Sequence, residues 1–438
     1  MGWNFHQYYS NRTDGLMGQL LLPERQNEAL KALRQKVRIR TREIFEEAKG
    51  LVKQTSKNIS LDSLNHEVSL SSFKHLSKLD QQRFAVLLAG LDANVKSEFL
   101  KLSPRFWTQG SFTYDTLNTP YKTPPQEMDI DDGTYLPMVF FDNKPIIGHR
   151  LLTMLVDTSL KSLVAENPGW EFEAKRTCGR IKVPHLHTHI DVPMYAIPEK
   201  QFLEKEVAFK MMAANSRLAL DSIATVDEKK YELDSECVNL AIRDEDEKWM
   251  KSDPKVVDDW FRECCSRVGS HLRKVCRFLK AWRDAQWENG GGPSSISLMA
   301  ATVTILDSTY HNPQNFGETM MVVAENLSAT FRAGVESPDE SDERPLFPCW
   351  YEHTERESLI IQKMDEFKQI LKKAYSAPNK QEALFILNSM YGDRVQDSSL
   401  IILEQSAPAF AIEPAIATEP FKISSTMKSG INSTMKSG

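Results

Sequence analysis

The segment Gln126-Glu-Met-Asp-Ile-Asp-Asp-Gly-Thr134 decides the fold, because it predicts a β-strand that carries two carboxylates on one face. Asp129 and Asp131 are two residues apart, and side chains at that spacing in a strand point the same way. The residues beside Asp129 are apolar, as expected of a strand with a buried face. Asp132-Gly133 offers turn chemistry, so we expect the strand to end there.

Asp191 adds a third carboxylate from a second strand-like run, Thr188–Ile197, where alternation aims it away from its apolar neighbours. Carboxylates that converge from neighbouring strands are costly unless cations neutralise them, and hard oxygen ligands suit Mg²⁺. Two ions roughly 3.5–4 Å apart serve nucleotidyl transfer by activating the attacking hydroxyl and stabilising the leaving group. We therefore predict that Asp129, Asp131 and Asp191 are catalytic and hold two Mg²⁺ ions, with Mn²⁺ as an alternative.

Gly110-Ser111 follows the extended-looking Phe106–Thr108 and precedes a proline-rich loop that leads to Asp129. Backbone N–H groups at a helix start bind anions, and glycine lets a phosphate approach closely. A Gly-Ser pair alone, or an Asp-x-Asp alone, is common on solvated surfaces. The Gly-Ser pair, then the Asp-x-Asp motif, then an aspartate inside an apolar run form an ordered set that favours a phosphoryl-transfer site.

The composition limits the class of protein. With 438 residues, of which 41% are hydrophobic and 26% charged, the chain can hold two or three globular units or one bilobed enzyme. No apolar run reaches the ~18 residues of a membrane span, and no secretion signal opens the chain. The 6 cysteines lack metal-ligand spacing, which favours reduced thiols and a cytoplasmic location. A net charge of −6 argues against long nucleic acid as the partner.

Hydrophobic periodicity predicts helices over residues 24–58 and 146–166, paired strands over Trp170–Val183, and one long helix over 255–287. The architecture would be α+β and bilobed, with a mixed sheet in one lobe, helices in the other and a cleft between them.

We assign residues 1–215 to the catalytic lobe, 216–404 to the helical lobe and 405–438 to a flexible tail that cannot bury enough apolar surface to order itself. His185, His187 and His189 alternate ahead of Asp191. Because no cysteine or carboxylate partner stands at a suitable spacing, we expect a solvated strand edge rather than a zinc site.

Five longer segments carry a family resemblance: Trp3–Tyr9, Pro104–Phe112, Gln126–Thr134, His189–Ile197 and Phe278–Gln286. Together with the order Gly-Ser, Asp-x-Asp and a later Asp, they resemble the cGAS/DncV-like nucleotidyltransferases of the polymerase-β-like superfamily. The resemblance covers nearly the whole chain. It implies a bilobed nucleotidyltransferase with a mixed, mainly antiparallel catalytic sheet.

By this resemblance the enzyme joins ATP and GTP, through two 3′–5′ transfers that release pyrophosphate, into 3′,3′-cyclic GMP–AMP. That product would be a second messenger in bacterial antiphage defence, with a phospholipase as its effector. Two alternatives stay open. One is another template-independent nucleotidyltransferase that acts on RNA or protein. The other is a non-catalytic folate or nucleotide sensor.

The resemblance also assigns nucleotide contacts, to Gln109, Gly110, Ser111, Phe112, Tyr114, Arg180, Lys280, Ser295 and Asp342. Without the resemblance, Arg180 is an ordinary surface arginine, Lys280 belongs to a solvated helix face, and Ser295 caps a helix. A carboxylate at Asp342 can accept from the N1–H and exocyclic amine of guanine, which adenine does not offer together.

Two further sites rest on the resemblance. A folate-like inhibitor would bind at Arg34, Arg38, Arg42, Arg105 and Trp107. The alternative for the three arginines of residues 24–58 is a solvated basic face. At the other end, an octad ending in Lys-Ser-Gly is repeated, and the terminal Gly438 would be joined to targets by a ubiquitin-like E1/E2 fusion.

Overall fold

The computed structural model describes residues 2–55, 59–137, 145–197, 238–243, 248–339, 345–348 and 354–404. Its architecture is α+β, with a mixed sheet in one half and packed helices in the other, so the predicted fold class is confirmed. Each half has its own large hydrophobic core.

The sheet is built from strands β2 to β8, while β1 and β9 form a separate short pair. The strands are β1 (Trp3–Asn4), β2 (Arg105–Gln109), β3 (Met128–Pro137), β4 (Glu171–Ala174), β5 (Cys178–Val183), β6 (Thr188–Ile197), β7 (Asn239–Ile242), β8 (Lys248–Lys251) and β9 (Ile402–Leu403). The order is β2-β3-β6-β5-β4, with β7 and β8 added beside β6. Among the described strands, only β3 and β6 run parallel, which makes the sheet mixed and mainly antiparallel.

Helices cover one face of this sheet. They are α3 (Glu24–Thr55), α4 (Leu61–Leu70), α5 (Lys78–Ala89), α6 (Ala93–Lys101) and α8 (Pro145–Glu166), while the one-turn α7 (Gly110–Thr113) follows β2. The apolar stripe of α3, including Leu30, Leu33, Val37 and Ile44, is buried in the core that these helices share with the sheet. The stripe at helical spacing is what holds the long α3 against its neighbours.

The second half is helical. It contains α9 (Pro254–Val268), α10 (His271–Gln286), α11 (Ser295–Ser308), α12 (Phe316–Ala333), α13 (Glu355–Tyr375) and α14 (Lys380–Tyr391). The two short N-terminal helices, α1 (His6–Ser10) and α2 (Leu16–Leu20), bury Tyr8, Tyr9 and Leu20 in the same core. The N-terminal segment therefore packs with the helical half and not with the sheet.

Two boundaries differ from the sequence prediction. The strand does not end at Asp132-Gly133, because β3 continues to Pro137 and Gly133 pairs with Trp107. A Cβ at Gly133 would lie 2.4 Å from Gln109 Nε2, so glycine serves close packing there and not a turn. The stretch 255–287 forms two helices because Gly269, at φ +120°, ends α9. Strand pairing overrides the turn signal at Asp132-Gly133, and a glycine in the left-handed region interrupts the helical pattern over 255–287.

The division at 215/216 and the tail from 405 lie outside the described residues, so those boundaries stay predictions. In the described residues, some elements of each assigned range pack with the other half of the molecule. β7 and β8 lie beyond 216 but extend the catalytic sheet, whereas α1 and α2 join the helical core. In the described part of the chain, no helix is both long and apolar enough to cross a bilayer.

Candidate active site

The strand register brings the predicted aspartates together. β3 and β6 pair so that Asp131 lies beside Asp191, while β2 places Gln109 beside Asp131 and β5 places Arg180 beside Asp191. These four residues form one row across neighbouring strands. Residues paired in register on a sheet share a face, so the three aspartates, with Asp129 two residues before Asp131, point the same way.

The row beside it contains a group that the sequence did not assign to the site. Asp129 pairs with His189, whose Nε2 lies 3.1 Å from Asp129 Oδ1. The other ring nitrogen, Nδ1, is 2.9 Å from Glu127 Oε2. Ligand atoms of Asp129, His189 and Asp191 all lie within 4.8 Å of one another. The structure thus forms a cluster of one nitrogen and two carboxylate donors.

Charge in this cluster is only partly balanced. Burial and the neighbouring charges of Asp129 and Asp191 raise the pKa of Asp131 well above its usual range. Arg180 compensates Asp191, with Nε donating to Oδ1 at 2.6 Å and NH2 donating to Oδ2 at 2.7 Å. Burial lowers the pKa of His189, but the contact with Asp129 outweighs it and the net shift is upward.

These observations fit a divalent cation. Oδ1 of Asp129 is buried and, among the described residues, accepts no well-aligned hydrogen bond. Buried polar atoms normally find a partner, and crowded carboxylates strongly favour a cation between them. The donor set therefore suits a metal ion held by Asp129 and Asp191, with Asp131 beside them.

Gly110 holds the start of α7 against the carboxylates. Its φ is +68°, and a Cβ there would lie 2.4 Å from Asp131 Oδ2. Glycine alone tolerates both the left-handed backbone and this approach. Ser111, the next residue, lines the cavity between the two halves, and its contact with phosphate stays a prediction.

The two halves of the molecule form a cavity of about 410 Å³ between them. The sheet half contributes Ser111, Asp129 and His189, and the helical half contributes Lys280 and Ser295. The cavity also contains Arg283, Asp284 and the glycine run 290–292, which the sequence analysis did not assign. The predicted interlobe cleft thus holds metal-type ligands on one wall and cations on the other.

The basic row of α10 is not a solvated face. Arg273, Arg277 and Lys280 together form a carbonyl clamp on the four consecutive residues 114–117. Lys280 Nζ donates to the Thr116 carbonyl at 2.7 Å, and Arg277 donates to the carbonyls of Asp115 and Leu117. Burial, and secondarily Arg283, lowers the pKa of Lys280 to about 7.

The cap of α11 is Ser294 and not Ser295. Ser294 Oγ accepts from the backbone N–H of Ser297. Ser295 Oγ instead accepts from Arg283 NH1 at 2.8 Å, inside the cavity. The capping explanation for Ser295 is therefore wrong, and its hydroxyl faces the cleft beside an arginine.

Three residues predicted to contact nucleotide are engaged elsewhere in this structure. The Gln109 amide donates to Tyr135 and accepts from Tyr195, so its side chain is held against the sheet. Phe112 lies under the Arg34 guanidinium, whose Cζ is 5.4 Å from the ring centroid. Tyr114 packs on Phe261. Their nucleotide contacts stay predictions.

The predicted folate residues lie around the edge strand β2. Arg34 and Arg38 are buried, so the basic face of α3 is not solvated. Arg38 is neutralised by Asp132, with Nε donating to Oδ2 at 2.7 Å and NH2 donating to Oδ1 at 2.6 Å. Burial, together with Arg38 and Arg105, lowers the pKa of Arg42 to about 10.

Trp107 lies on the other face of β2, in a small apolar cluster with Tyr135 and Tyr195. The arginines of α3 contact Thr108 and Phe106 instead. Because β2 is the edge of the sheet, a ligand that lies over the edge can reach both faces. The assignment of a folate-like ligand to these residues stays a prediction.

Two predicted sites, Asp342 and Gly438, lie outside the described residues. Of the unpredicted groups, His189 had a usable signal in the sequence, because it alternates with Asp191 and so must share its face. Glu127 had the same signal, because it lies two residues before Asp129. Arg277 had none for its partners, which lie in the distant segment 115–118. The contact of Arg283 with Ser295 joins two successive helices, and no pattern in the sequence predicts it.

A mixed sheet with this row of carboxylates, a glycine-serine turn and a cationic helix across a cleft defines a nucleotidyltransferase. Comparison with known families gives the same result. Residues 104–195 match the nucleotidyltransferase domain described as cyclic GMP-AMP synthase DncV-like, and residues 269–404 match the cyclic GMP-AMP synthase C-terminal domain. The chain belongs to the DncV-like cyclic GMP-AMP synthase family.

Curated relatives match along the whole chain. A cyclic GMP-AMP synthase of Vibrio cholerae serotype O1 is 56% identical, over 98% of this chain and 100% of the relative. A cyclic GMP-AMP synthase of Escherichia coli is 46% identical, again over 98% of this chain and 100% of the relative.

Solved structures agree. Vibrio cholerae DncV cyclic AMP-GMP synthase in complex with the linear intermediate 5′ pppA(3′,5′)pG has a TM-score of 0.84 and 55% identity, covering 93% of this chain and 100% of that one. The Vibrio cholerae di-nucleotide cyclase in complex with GTP and the folate-like ligand 5MTHFGLU2 has a TM-score of 0.84 and 54% identity, covering 92% of this chain and 100% of that one.

Proposed function

We propose that this protein synthesises 3′,3′-cyclic GMP–AMP from ATP and GTP. The observation that carries the proposal is the parallel register of β3 and β6, which sets Asp131 beside Asp191 and Asp129 beside His189. Asp129 and His189 line the cavity that also contains Ser111, Lys280 and Ser295. A synthase of the same family, with 55% identity and the same fold, binds the linear intermediate pppA(3′,5′)pG. The class of enzyme follows from the family.

Asp129, Asp131 and Asp191 would hold the divalent ions. When bound, two such ions would supply Lewis-acid charge at the α-phosphate and lower the pKa of the attacking 3′-hydroxyl. Mg²⁺ suits the carboxylates, and Mn²⁺ is the alternative. Asp191 accepts two hydrogen bonds from Arg180, which fixes the orientation of its carboxylate.

The remaining cavity residues position the donor nucleotide. Ser111 at the start of α7 and Ser295 at the start of α11 present hydroxyls and helix N-termini, both of which favour phosphate. Lys280 and Arg283 line the opposite wall and supply positive charge. Alignment and charge neutralisation are the main contributions to phosphoryl transfer.

Two successive transfers in one cleft would first give a linear dinucleotide and then close the ring. Each transfer forms one 3′–5′ phosphodiester bond and releases one pyrophosphate. A cavity of about 410 Å³, open between two lobes, suits small nucleotides and not a long polymer.

A folate-like ligand is the proposed regulator, at Arg34, Arg42, Arg105 and Trp107 around the edge of β2. Arg42 supports this proposal. Its guanidinium lies 4.9 Å from the Phe106 ring centroid and is half-buried among other arginines. A carboxylate of the ligand would neutralise this positive charge and accept hydrogen bonds from the guanidinium. Arg38 would act through Asp132 and not directly. The related structure with GTP and 5MTHFGLU2 supports the ligand class.

Three further parts of the proposal rest on the family resemblance described above. They are a cytoplasmic role in antiphage signalling through a phospholipase effector, conjugation of Gly438 by an E1/E2 fusion, and guanine recognition by Asp342. Deleting Gly438 and probing for protein conjugates tests the second, since undiminished conjugation would remove it.

The central test is to incubate the pure protein with ATP, GTP and Mg²⁺ and to identify the products by mass spectrometry. We expect one AMP and one GMP moiety joined in a phosphatase-resistant ring, and none from the double variant Asp129→Asn, Asp131→Asn. Label transferred to RNA or protein would instead favour another nucleotidyltransferase. A protein that binds ligands but releases no pyrophosphate would be a sensor.

A further inference from the structure

His189 is in the catalytic cleft but has no part in the chemistry described so far. It lines the cavity with Asp129 and pairs with that residue in register on neighbouring strands. Because it lies two residues before Asp191 on β6, its side chain is on the same face as all three aspartates. An imidazole in that position is within reach of whatever cation the carboxylates hold.

The two ring nitrogens of His189 have different surroundings. Nδ1 lies 2.9 Å from Glu127 Oε2, whereas Nε2 faces Asp129 Oδ1 at 3.1 Å. A histidine that binds a metal ion normally donates its other N–H to a carboxylate, which fixes the tautomer and the direction of the ring. Glu127 is placed to do this for His189, leaving Nε2 directed at the cluster.

The carboxylates have room for an ion beside this nitrogen. Oδ1 of Asp129 accepts no well-aligned hydrogen bond from the described residues. Asp191 accepts two hydrogen bonds from Arg180, but a carboxylate has about four acceptor positions, so others remain. Ligand atoms of His189, Asp129 and Asp191 lie within 4.8 Å of one another, which small side-chain rotations can close onto one ion.

We propose that His189 Nε2 is a ligand of the divalent ion held by Asp129 and Asp191, oriented by Glu127, and that it biases this site toward Mn²⁺ over Mg²⁺. Imidazole suits first-row transition metals, whereas Mg²⁺ prefers oxygen ligands and gives up its waters reluctantly. Of the two ions that the carboxylates suit, Mn²⁺ accepts an imidazole nitrogen beside carboxylate oxygens more readily than Mg²⁺ does. The inference rests on the proposed function, because it concerns the metal in the same cleft.

Electron paramagnetic resonance of Mn²⁺ bound to the full-length protein tests the ligand directly, without turnover. We expect the ¹⁴N coupling of a bound imidazole in the wild type and its loss in His189→Asn. In Glu127→Gln we expect Mn²⁺ binding about 10-fold weaker or more, because the ring loses its orienting carboxylate. The ratio of Mn²⁺ to Mg²⁺ affinity, measured by competition, should fall by about 10-fold in His189→Asn.

His185→Asn is the matched control, because that histidine is exposed in the preceding turn, outside the cavity. It should leave the ¹⁴N coupling and the affinity ratio unchanged. Mn²⁺ bound to the wild type without ¹⁴N coupling would overturn the inference while leaving the proposed synthase intact. Failure of the wild type to bind Mn²⁺ or Mg²⁺ and to form product would instead overturn the proposed function.

Discussion

The two walls of the cleft differ in the sign of their charge and in how far that charge is balanced by neighbouring groups. On the sheet wall, three aspartates crowd together with Arg180 and His189 as their only close cationic partners among the described residues, and the pKa of Asp131 is strongly raised. On the helical wall, Arg277 and Lys280 of the carbonyl clamp are buried and Arg273 is half-buried, and each donates to backbone carbonyls of residues 114–117. The first wall is left in need of positive charge, while the second uses its positive charge to hold the halves together.

The comparison separates residues for chemistry from residues for architecture. Crowded carboxylates repel one another, so the anionic wall contributes little to stability, but the same charges bind cations. The hydrogen-bonded cations of the helical wall stabilise the protein, because hydrogen bonds from buried charged donors are strong. Mutations on the two walls should therefore have opposite effects on activity and on stability.

The largest effect should come from the anionic wall. Asp131→Asn should reduce product formation by about 10³-fold or more, because it removes a carboxylate placed to hold charge in the transition state. The folded-state pKa of Asp131 is raised, so its ionised form opposes folding above that pKa. The variant should thus melt at the same temperature or higher at neutral pH, by scanning calorimetry. A variant that loses activity because it unfolds would contradict this picture of the wall.

The next effect concerns the turn that joins the walls. Gly110→Ala should lower kcat by about 10²-fold, because a Cβ would lie 2.4 Å from Asp131 Oδ2 and push that carboxylate or Ser111 out of place. The left-handed φ of +68° adds a destabilisation of about 1–2 kcal/mol. Gly50→Ala is the control, since no atom lies within 4 Å of a Cβ there, in the C-terminal part of α3. It should keep full activity and gain about 1 kcal/mol of stability in urea unfolding.

Sequence reasoning found the anionic wall because strand geometry is local. Alternation along β3 and β6 orients Asp129, Asp131 and Asp191 whatever surrounds them. Sequence reasoning did not assign His189 to the site, although the same alternation places its side chain there. The carboxylate that orients its ring, Glu127, is 62 residues away in the sequence. The turn predicted at Asp132-Gly133 failed because pairing with the edge strand β2 overrides local turn chemistry.

The cationic wall could not have been predicted from sequence. Periodicity shows that Arg273, Arg277 and Lys280 share one face of a helix, but a solvated face gives the same pattern. Their partners are backbone carbonyls more than 150 residues away, as with the 159 residues between Arg273 and Tyr114. Backbone carbonyls carry no sequence signal. Only the packing of the two halves shows which backbone carbonyls these three side chains bind.

Arg277→Met tests the cationic wall and should destabilise the protein by about 3 kcal/mol in urea unfolding. It leaves the carbonyls of Asp115 and Leu117 and the side chain of Asn118 without their buried donor. Arg273→Met should cost less, because Arg273 donates a single hydrogen bond of 3.2 Å, to the Tyr114 carbonyl, from a half-buried position. Equal losses for the two variants would show that the clamp is not centred on Arg277.

The last effect is a pH dependence at Lys280. Burial lowers its pKa from 10.5 to about 7 in the folded protein, so between these values the unfolded chain binds more protons than the native state. Stability should consequently rise with pH across that window, relative to Lys280→Met, which lacks the group. The difference in urea midpoint between wild type and variant, followed from about pH 7 to about pH 10, measures this. Because Lys280 Nζ already donates to Thr116, an absent slope would mean that this hydrogen bond keeps the amine charged, and the helical wall would then still offer a full positive charge to phosphate.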